Sequence, residues 1–343
     1  MTDPDAQSTL DTQVPGTQAS DTQVPGTSTL RSNAVPGTSD TSGTSDTPGS
    51  RNITRRQAWV LAARPRTLPA SVAPVVVGTA LAVRDGAFDP IASLAALLAA
   101  LLLQIASNFA NDLGDFKKGT DTPERVGPLR VTTAGLISEG EIKAGLLVVL
   151  GLAAVCGIYL IVVGGWPILA VGVLSMIAAV AYTYGPLPFG YYGLGDFATF
   201  IFFGLIAVVG TYYTQAHAAP PLVWLAAIPM GALVTAILVV NNVRDADTDR
   251  RAGKRTLAVV LGRRGARIEF LVMLVLAYAV PLILWLGYGM RPWVLLPLVT
   301  LPLAVRHARA LFTVLGPALN KTLGGTAQLA VLYAIAFAAG IVF

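Results

Sequence analysis

The chain has 343 residues, 54% of them hydrophobic and only 13% charged, against about 25% charged in ordinary soluble domains. Mean hydropathy is +0.64 although the first 50 residues are almost wholly polar, so the remainder is more apolar than a water-facing surface tolerates. That apolarity argues against a soluble enzyme, a nucleic-acid binder and a secreted disulfide scaffold. The distribution of the +5 formal charge says more than its sum, and the single Cys156 and two distant histidines, His217 and His307, leave no cysteine- or histidine-rich metal site.

Residues 1–52 form a low-complexity tail. Asp-Thr-Gln-Val-Pro-Gly-Thr occurs at 11–17 and again at 21–27, and Val-Pro-Gly-Thr returns at 35–38. Such a segment cannot bury enough apolar area to offset its ordering entropy, so disorder is expected. It lacks the basic start and apolar core of a signal peptide. The domain proper is expected over 53–343.

A membrane span needs about 20 mainly apolar residues. Uncharged stretches predict nine helices, near 67–83, 90–111, 143–163, 167–184, 193–214, 222–242, 267–287, 292–310 and 323–343. With the tail in the cytoplasm, only Arg84 and Arg291 of the 24 Lys and Arg fall outside. The other basic residues gather on the cytoplasmic side, as the positive-inside rule requires. The expectation is an all-α polytopic membrane protein with its N-terminus inside and its C-terminus outside.

Two cytoplasmic segments hold most of the remaining charge. The first, after the second helix, contains Asn111, Asp112, Asp115, Lys117, Lys118, Asp121, Arg125 and Arg130. The second, after the sixth, contains Asn241, Asn242, Arg244, Asp245, Asp247, Asp249, Lys254 and Arg255. Asn111 with Asp115 and Asn241 with Asp245 share an i, i+4 spacing at an offset of 130. This points to two parallel quasi-repeats of four helices plus one further helix. In a helix that spacing stacks each pair on one face.

Stacked carboxylates repel unless a cation lies between them. The donors are oxygen only, which selects a hard cation such as Mg²⁺ or Ca²⁺. Mg²⁺ takes one or two carboxylates and completes its shell with water and substrate phosphates. Lys118, Arg125, Arg130, Arg244 and Lys254 are placed to hold those phosphates. The residues alone therefore point to a diphosphate held through Mg²⁺ at the cytoplasmic mouth of a helical bundle.

These motifs resemble the two aspartate-rich motifs of the UbiA-type intramembrane aromatic prenyltransferases. Asn111-Asp112-x-x-Asp115 with Lys118-Gly119-x-Asp121 is similar to the first motif of the branch acting on 1,4-dihydroxy-2-naphthoate. Asn241-Asn242-x-Arg244-Asp245-x-x-x-Asp249-Arg250, followed by Ala252-Gly253-Lys254-Arg255-Thr256-Leu257, is similar to its second. Arg64-Pro65-Arg66-Thr67-Leu68-Pro69 and Tyr192-Gly193-Leu194-Gly195-Asp196 also match that branch. The resemblance spans residues 55 to 343 and implies nine helices around a central cavity.

It further implies transfer of a polyprenyl group from polyprenyl diphosphate to 1,4-dihydroxy-2-naphthoate with decarboxylation, giving demethylmenaquinol for menaquinone biosynthesis. Two Mg²⁺ ions would be held by Asp115, Asp121, Asp245 and Asp249, with Asn111 and Asn241 adding neutral oxygens. Arg64 and Arg66 are candidates for the acceptor carboxylate, or else anchor the first helix. Asp196 could help place the acceptor, or be a solvated acid at a helix start. Tyr182 and Tyr184 could line the cavity or anchor helices at the interface. His307 is expected on a basic inner rim beside Arg306 and Arg309, and Cys156 in packing. Another acceptor, such as 4-hydroxybenzoate, is the nearest alternative. A transporter is disfavoured, since transporters set their ionisable groups near the midplane and here the acids sit at one surface.

Overall fold

The structure is a computed structural model, and it describes residues 53–119, 127, 129–186 and 188–343. The expectation of disorder over residues 1–52 lies outside the described residues, as do Asp121 and Arg125.

Local sequence starts and stops each helix. Thr54 and Gln57 form a capping box that opens α1 (Arg55–Ala63). Arg64 follows in left-handed backbone at φ 51°, then a single turn, Pro65–Thr67, leads into α2 (Pro69–Arg84). α2 is bent by 49° from the segment before it. Asp89 caps α3 (Pro90–Lys118), with Pro90 at the first helical position. Ser138 and Glu141 box the start of α4 (Glu139–Gly164), and Gly165 turns the chain into α5 (Trp166–Ala181). α6 (Gly195–Thr199), a π-helical stretch (Phe200–Ile206) and α7 (Ala207–Ala216) run as one span. α8 (Pro221–Arg251), the short α9 (Leu257–Val260) and α10 (Gly262–Tyr288) follow. A 3-10 segment (Pro292–Thr300) continues into α11 (Leu301–Thr313), and α12 (Leu319–Val342) ends the chain.

No strand occurs among the described residues. Among the described residues seven helices are long and apolar enough to cross a membrane, or eight when the bent pair of α1 and α2 is counted as one span. α5 lies on a predicted span but has only 16 residues, short of the full crossing length. The expected nine segments are therefore all helical, while length and composition support seven or eight as spans.

α8 is the central helix. Of its most apolar window 72% is buried, against 17% for α4. Around α8, one core joins α2, α7, α10 and α12 through Leu81, Met230, Phe270, Tyr333 and Phe337. The Tyr333 hydroxyl donates to the Ala277 carbonyl at 2.5 Å, which satisfies its one buried polar atom. A second core joins α1, α3 and α4 through Ala58, Phe109, Leu113 and Ile142. α4 turns Leu147, Val148, Val155 and Val162 outward, an apolar face that suits lipid tails and not water. Where the π-helical stretch crosses α8, a Cβ on Gly204 would collide with the Gly231 backbone. Small residues there let two backbones touch, a standard device of membrane helix packing.

Candidate active site

Two long helices carry the predicted acids to one mouth. α3 has 29 residues and α8 has 31. At 1.5 Å per residue they span about 44 and 46 Å, beyond the roughly 30 Å of bilayer hydrocarbon. The surplus turns bear Asn111 and Asp115 on α3, and Asn241, Asp245 and Asp249 on α8. Their predicted ends, 111 and 242, fall short of the observed Lys118 and Arg251. Charge ends burial in lipid, but it does not break the backbone hydrogen-bond ladder. The helices stop where glycine permits left-handed backbone, at or just past their ends: Gly119 at φ 60° and Gly253 at φ 74°.

A cavity of about 1760 Å³ opens between these helices. Its polar mouth includes Asn111, Asp115, Arg130, Asn241, Arg244, Asp245, Asp249 and Lys254. On α3 its lining runs from Ala96 to Asp115, a rise of about 29 Å along the helix. Away from the mouth, apolar side chains from the surrounding helices predominate, among them Val75, Leu103, Ile161, Ile168, Phe202 and Phe203. At the far end of the span formed by α6 and α7, Thr211 and Thr214 line it.

Asp115 is only 1% exposed and is held from three sides. The Arg130 guanidinium donates to Oδ2, the Tyr191 hydroxyl to Oδ1 at 2.6 Å, and Lys254 Nζ to Oδ1 at 3.0 Å. Lys254 also lies 3.9 Å from Asp249 Oδ1. Asp245 accepts two bonds from Arg244, Nε at 2.8 Å and Nη2 at 2.6 Å. The same guanidinium reaches Asn241 Oδ1 and Asn320 Oδ1, each at 2.8 Å. Asn111 accepts from the Thr183 hydroxyl. Acids and basic side chains are thus interleaved at one mouth.

Other predicted residues take varied places. Lys118 stacks on the Tyr191 ring, 3.7 Å from its centroid. Arg64 and Arg66 both line the cavity. Their turn is fastened by Asn108, which donates to the Ala63 carbonyl at 2.9 Å and to Thr67 Oγ1 at 3.0 Å. Asp196 is 4% exposed and accepts from Asn242 Nδ2 at 3.4 Å. It is set behind the residues that line the cavity, so it is no solvated acid. Asp112 is outside the cavity lining and receives the Val131 and Thr132 amides. Tyr182 lines the cavity, whereas Tyr184 accepts from Lys117 at 3.4 Å. His307, expected on the rim, is only 7% exposed and packs its ring on Gly325 of α12. The missing side chain at Gly325 makes room for it, which the basic neighbours in sequence concealed.

Among the described residues no group of three or more Asp, Glu, His or Cys side chains gathers in metal-binding geometry. The donor set is nonetheless the right one for a hard cation. One or two carboxylates with an amide oxygen face the mouth from each long helix, and their cationic partners are flexible enough to turn to a phosphate. Mg²⁺, completed by water and phosphate oxygens, fits that set.

Tyr191, Thr183 and Asn320 touch the site and escape sequence reasoning. Four tyrosines between 182 and 192 are the one available signal, but interfacial aromatic belts produce the same pattern.

Comparison with known proteins bears on the family and the fold. The model of the UbiA prenyltransferase family matches residues 71–323. The 1,4-dihydroxy-2-naphthoate octaprenyltransferase of Escherichia coli (strain K12) is 42% identical over 299 residues, covering 85% of this chain and 97% of that protein. The enzyme of the same name from Mycobacterium tuberculosis (strain ATCC 25618 / H37Rv) is 41% identical over 250 residues, or 73% and 84%. Among solved structures, the apo UbiA homolog from Aeropyrum pernix K1 superposes with a TM-score of 0.63 at 19% identity, over 81% of this chain and 98% of that one. A UbiA homolog from Archaeoglobus fulgidus bound to GPP and Mg²⁺ gives 0.58 at 15% identity, over 82% and 99%. At those identities the two structures share the fold.

Proposed function

The chain belongs to the UbiA prenyltransferase family, and from that premise we propose that it moves a polyprenyl group from polyprenyl diphosphate onto 1,4-dihydroxy-2-naphthoate. The carboxylate leaves as CO₂, and the product is demethylmenaquinol, for menaquinone biosynthesis. The observation that carries this reading is the shape of the cavity. A polar mouth of interleaved acids and cations continues into a mainly apolar cavity, and mouth and cavity together run about 29 Å along α3. A diphosphate head fits the first and a long isoprenoid chain fits the second.

The prenyl C1–O bond breaks and its electron pair leaves with the diphosphate. The dihydroxynaphthoate ring supplies the pair for the new C–C bond, and loss of CO₂ returns a pair to the ring. No enzyme nucleophile is required. Mg²⁺ would supply Lewis-acid charge that favours departure of the diphosphate. Asp115, Asp245 and Asp249, with Asn111 and Asn241, are the residues that would hold it. Asp121 is proposed to join them, and the total number of ions proposed is two. Lys118, turning from the Tyr191 ring, and Arg130, Arg244 and Lys254, turning from their carboxylate partners, offset diphosphate charge, and Arg125 is proposed to join them. Arg64 and Arg66 take the acceptor carboxylate, and Asp196 supports that end of the site through Asn242. The apolar wall excludes water, which would otherwise capture the allylic cation.

The protein is proposed to sit in the cell membrane with the mouth facing the cytoplasm. A membrane assay with polyprenyl diphosphate, 1,4-dihydroxy-2-naphthoate and Mg²⁺ tests the reading. Demethylmenaquinol that EDTA abolishes is expected. Product only with 4-hydroxybenzoate would keep the family and overturn the acceptor.

A further inference from the structure

Tyr191 stands at the junction of the two charged segments and belongs to neither. It lies on a short turn, Phe189–Tyr192, between α5 and α6, and is 8% exposed. Its hydroxyl donates to Asp115 Oδ1 at 2.6 Å. Its ring carries Lys118 Nζ at 3.7 Å and Lys254 Nζ at 4.7 Å from the centroid. Its carbonyl accepts the Arg255 amide at 2.9 Å, just past the end of α8. Two residues on, a Cβ at Gly193 would lie 3.1 Å from the Arg255 carbonyl oxygen, so the two chains run in close contact there. One residue thus joins the end of α3 to the segment after α8 through hydroxyl, ring and main chain.

We infer that Tyr191 is a positioning residue that keeps Asp115 ready for a divalent cation while its ring holds Lys118 and Lys254 ready for a diphosphate. The inference rests on the Mg²⁺- and diphosphate-dependent reading above. Of the three donors described on Asp115, Arg130 and Lys254 are cations, and an arriving diphosphate attracts both. The phenol is neutral. It steadies the carboxylate as an anion without adding positive charge that would oppose a metal ion. The ring face meanwhile attracts ammonium groups through its quadrupole, which holds two like charges near one point until the substrate arrives. Hydroxyl and ring therefore do separable jobs.

The test uses the purified full chain in lipid nanodiscs with two variants, Tyr191→Phe and Tyr191→Leu. Mn²⁺, visible by electron paramagnetic resonance, reports the metal site without turnover. Inorganic pyrophosphate at saturating Mg²⁺, read by its thermal stabilisation of the protein, reports the lysines. Tyr191→Phe is expected to weaken Mn²⁺ binding about three- to tenfold while keeping the wild-type pyrophosphate response, since only a hydrogen bond to a charged group is lost. Tyr191→Leu is expected to weaken Mn²⁺ equally and to lose the pyrophosphate response by about tenfold, since the ring is lost as well. A purely structural role would not separate the two readouts. Should Tyr191→Leu fail to accumulate, Lys118→Met in its place must lower the pyrophosphate response while sparing Mn²⁺. Wild-type Mn²⁺ affinity in Tyr191→Phe, or a wild-type pyrophosphate response in the second variant, overturns the inference. A wild-type protein that binds neither probe overturns the functional reading itself.

Discussion

The Val131 amide donates to Asp112 Oδ2 at 3.1 Å, across the turn that leads back from α3 towards α4. Its neighbour Thr132 donates to the other oxygen at 3.4 Å. Arg130 directly precedes this pair and reaches Asp115. Asp112, three residues before Asp115 on the same helix, therefore sets where Arg130 can stand. Asp112→Leu removes a buried charged acceptor from two amides, at a cost of about 1–3 kcal/mol. Thermal unfolding is expected to shift down, and KM for the prenyl diphosphate to rise. Asp112→Asn keeps one acceptor oxygen and should lose much less of both.

Asp115→Asn and Asp245→Ala are each expected to lower turnover by about 100-fold or more, the scale seen when a preorganised charge partner is removed from a site. Both proteins should still accumulate in the membrane, because neither residue lies in an apolar core. Turnover and membrane content, measured on the same preparations, decide this. Near-normal rates in both variants would remove these residues from the metal site.

The Arg64 turn depends on Asn108. Its side-chain amide bridges the Ala63 carbonyl and Thr67 Oγ1, and Arg64 sits in left-handed backbone, uncommon for a residue with a side chain. Asn108→Leu leaves those groups unsatisfied at about 1–3 kcal/mol. The expected signature is a raised KM for the naphthoate with little change in KM for the diphosphate. An equal rise for both substrates would argue against a separate acceptor end.

Gly204→Leu would place a side chain where the π-helical stretch meets the Gly231 backbone. The far end of a flexible chain can yield, but a backbone cannot. Overpacking of this kind costs about 1–3 kcal/mol or more. Loss of membrane-inserted protein is expected, measured by immunoblot against a Gly210→Leu control, whose Cβ meets open space.

Much of the molecule is legible before any coordinates. Runs of apolar residues mark the helices, since lipid leaves the backbone no partner but itself. The sorting of basic residues predicts their orientation. The twin Asn–Asp spacings single out α3 and α8, because the helical period alone stacks such pairs on one face. Other features stay hidden for physical reasons. The reach of α3 and α8 beyond lipid is invisible to a hydropathy rule, which measures burial and not helicity. α5 reads as a full span although its helix has only 16 residues. His307 reads as a rim residue, while a glycine on another helix admits it to the interior.

The sequence by itself determined the class of protein, the helices that carry the acids and the oxygen-only chemistry at their ends. Those follow from local composition and from a fixed helical period, which need no knowledge of neighbours. Only the tertiary structure decided that Asp115 meets Arg130, Tyr191 and Lys254, that Asp196 is withdrawn behind Asn242, and that one cavity joins both motifs to an apolar wall. These contacts join residues as far as 139 positions apart. They depend on how closely whole helices approach, and that is set by small residues and side-chain volumes summed over the bundle.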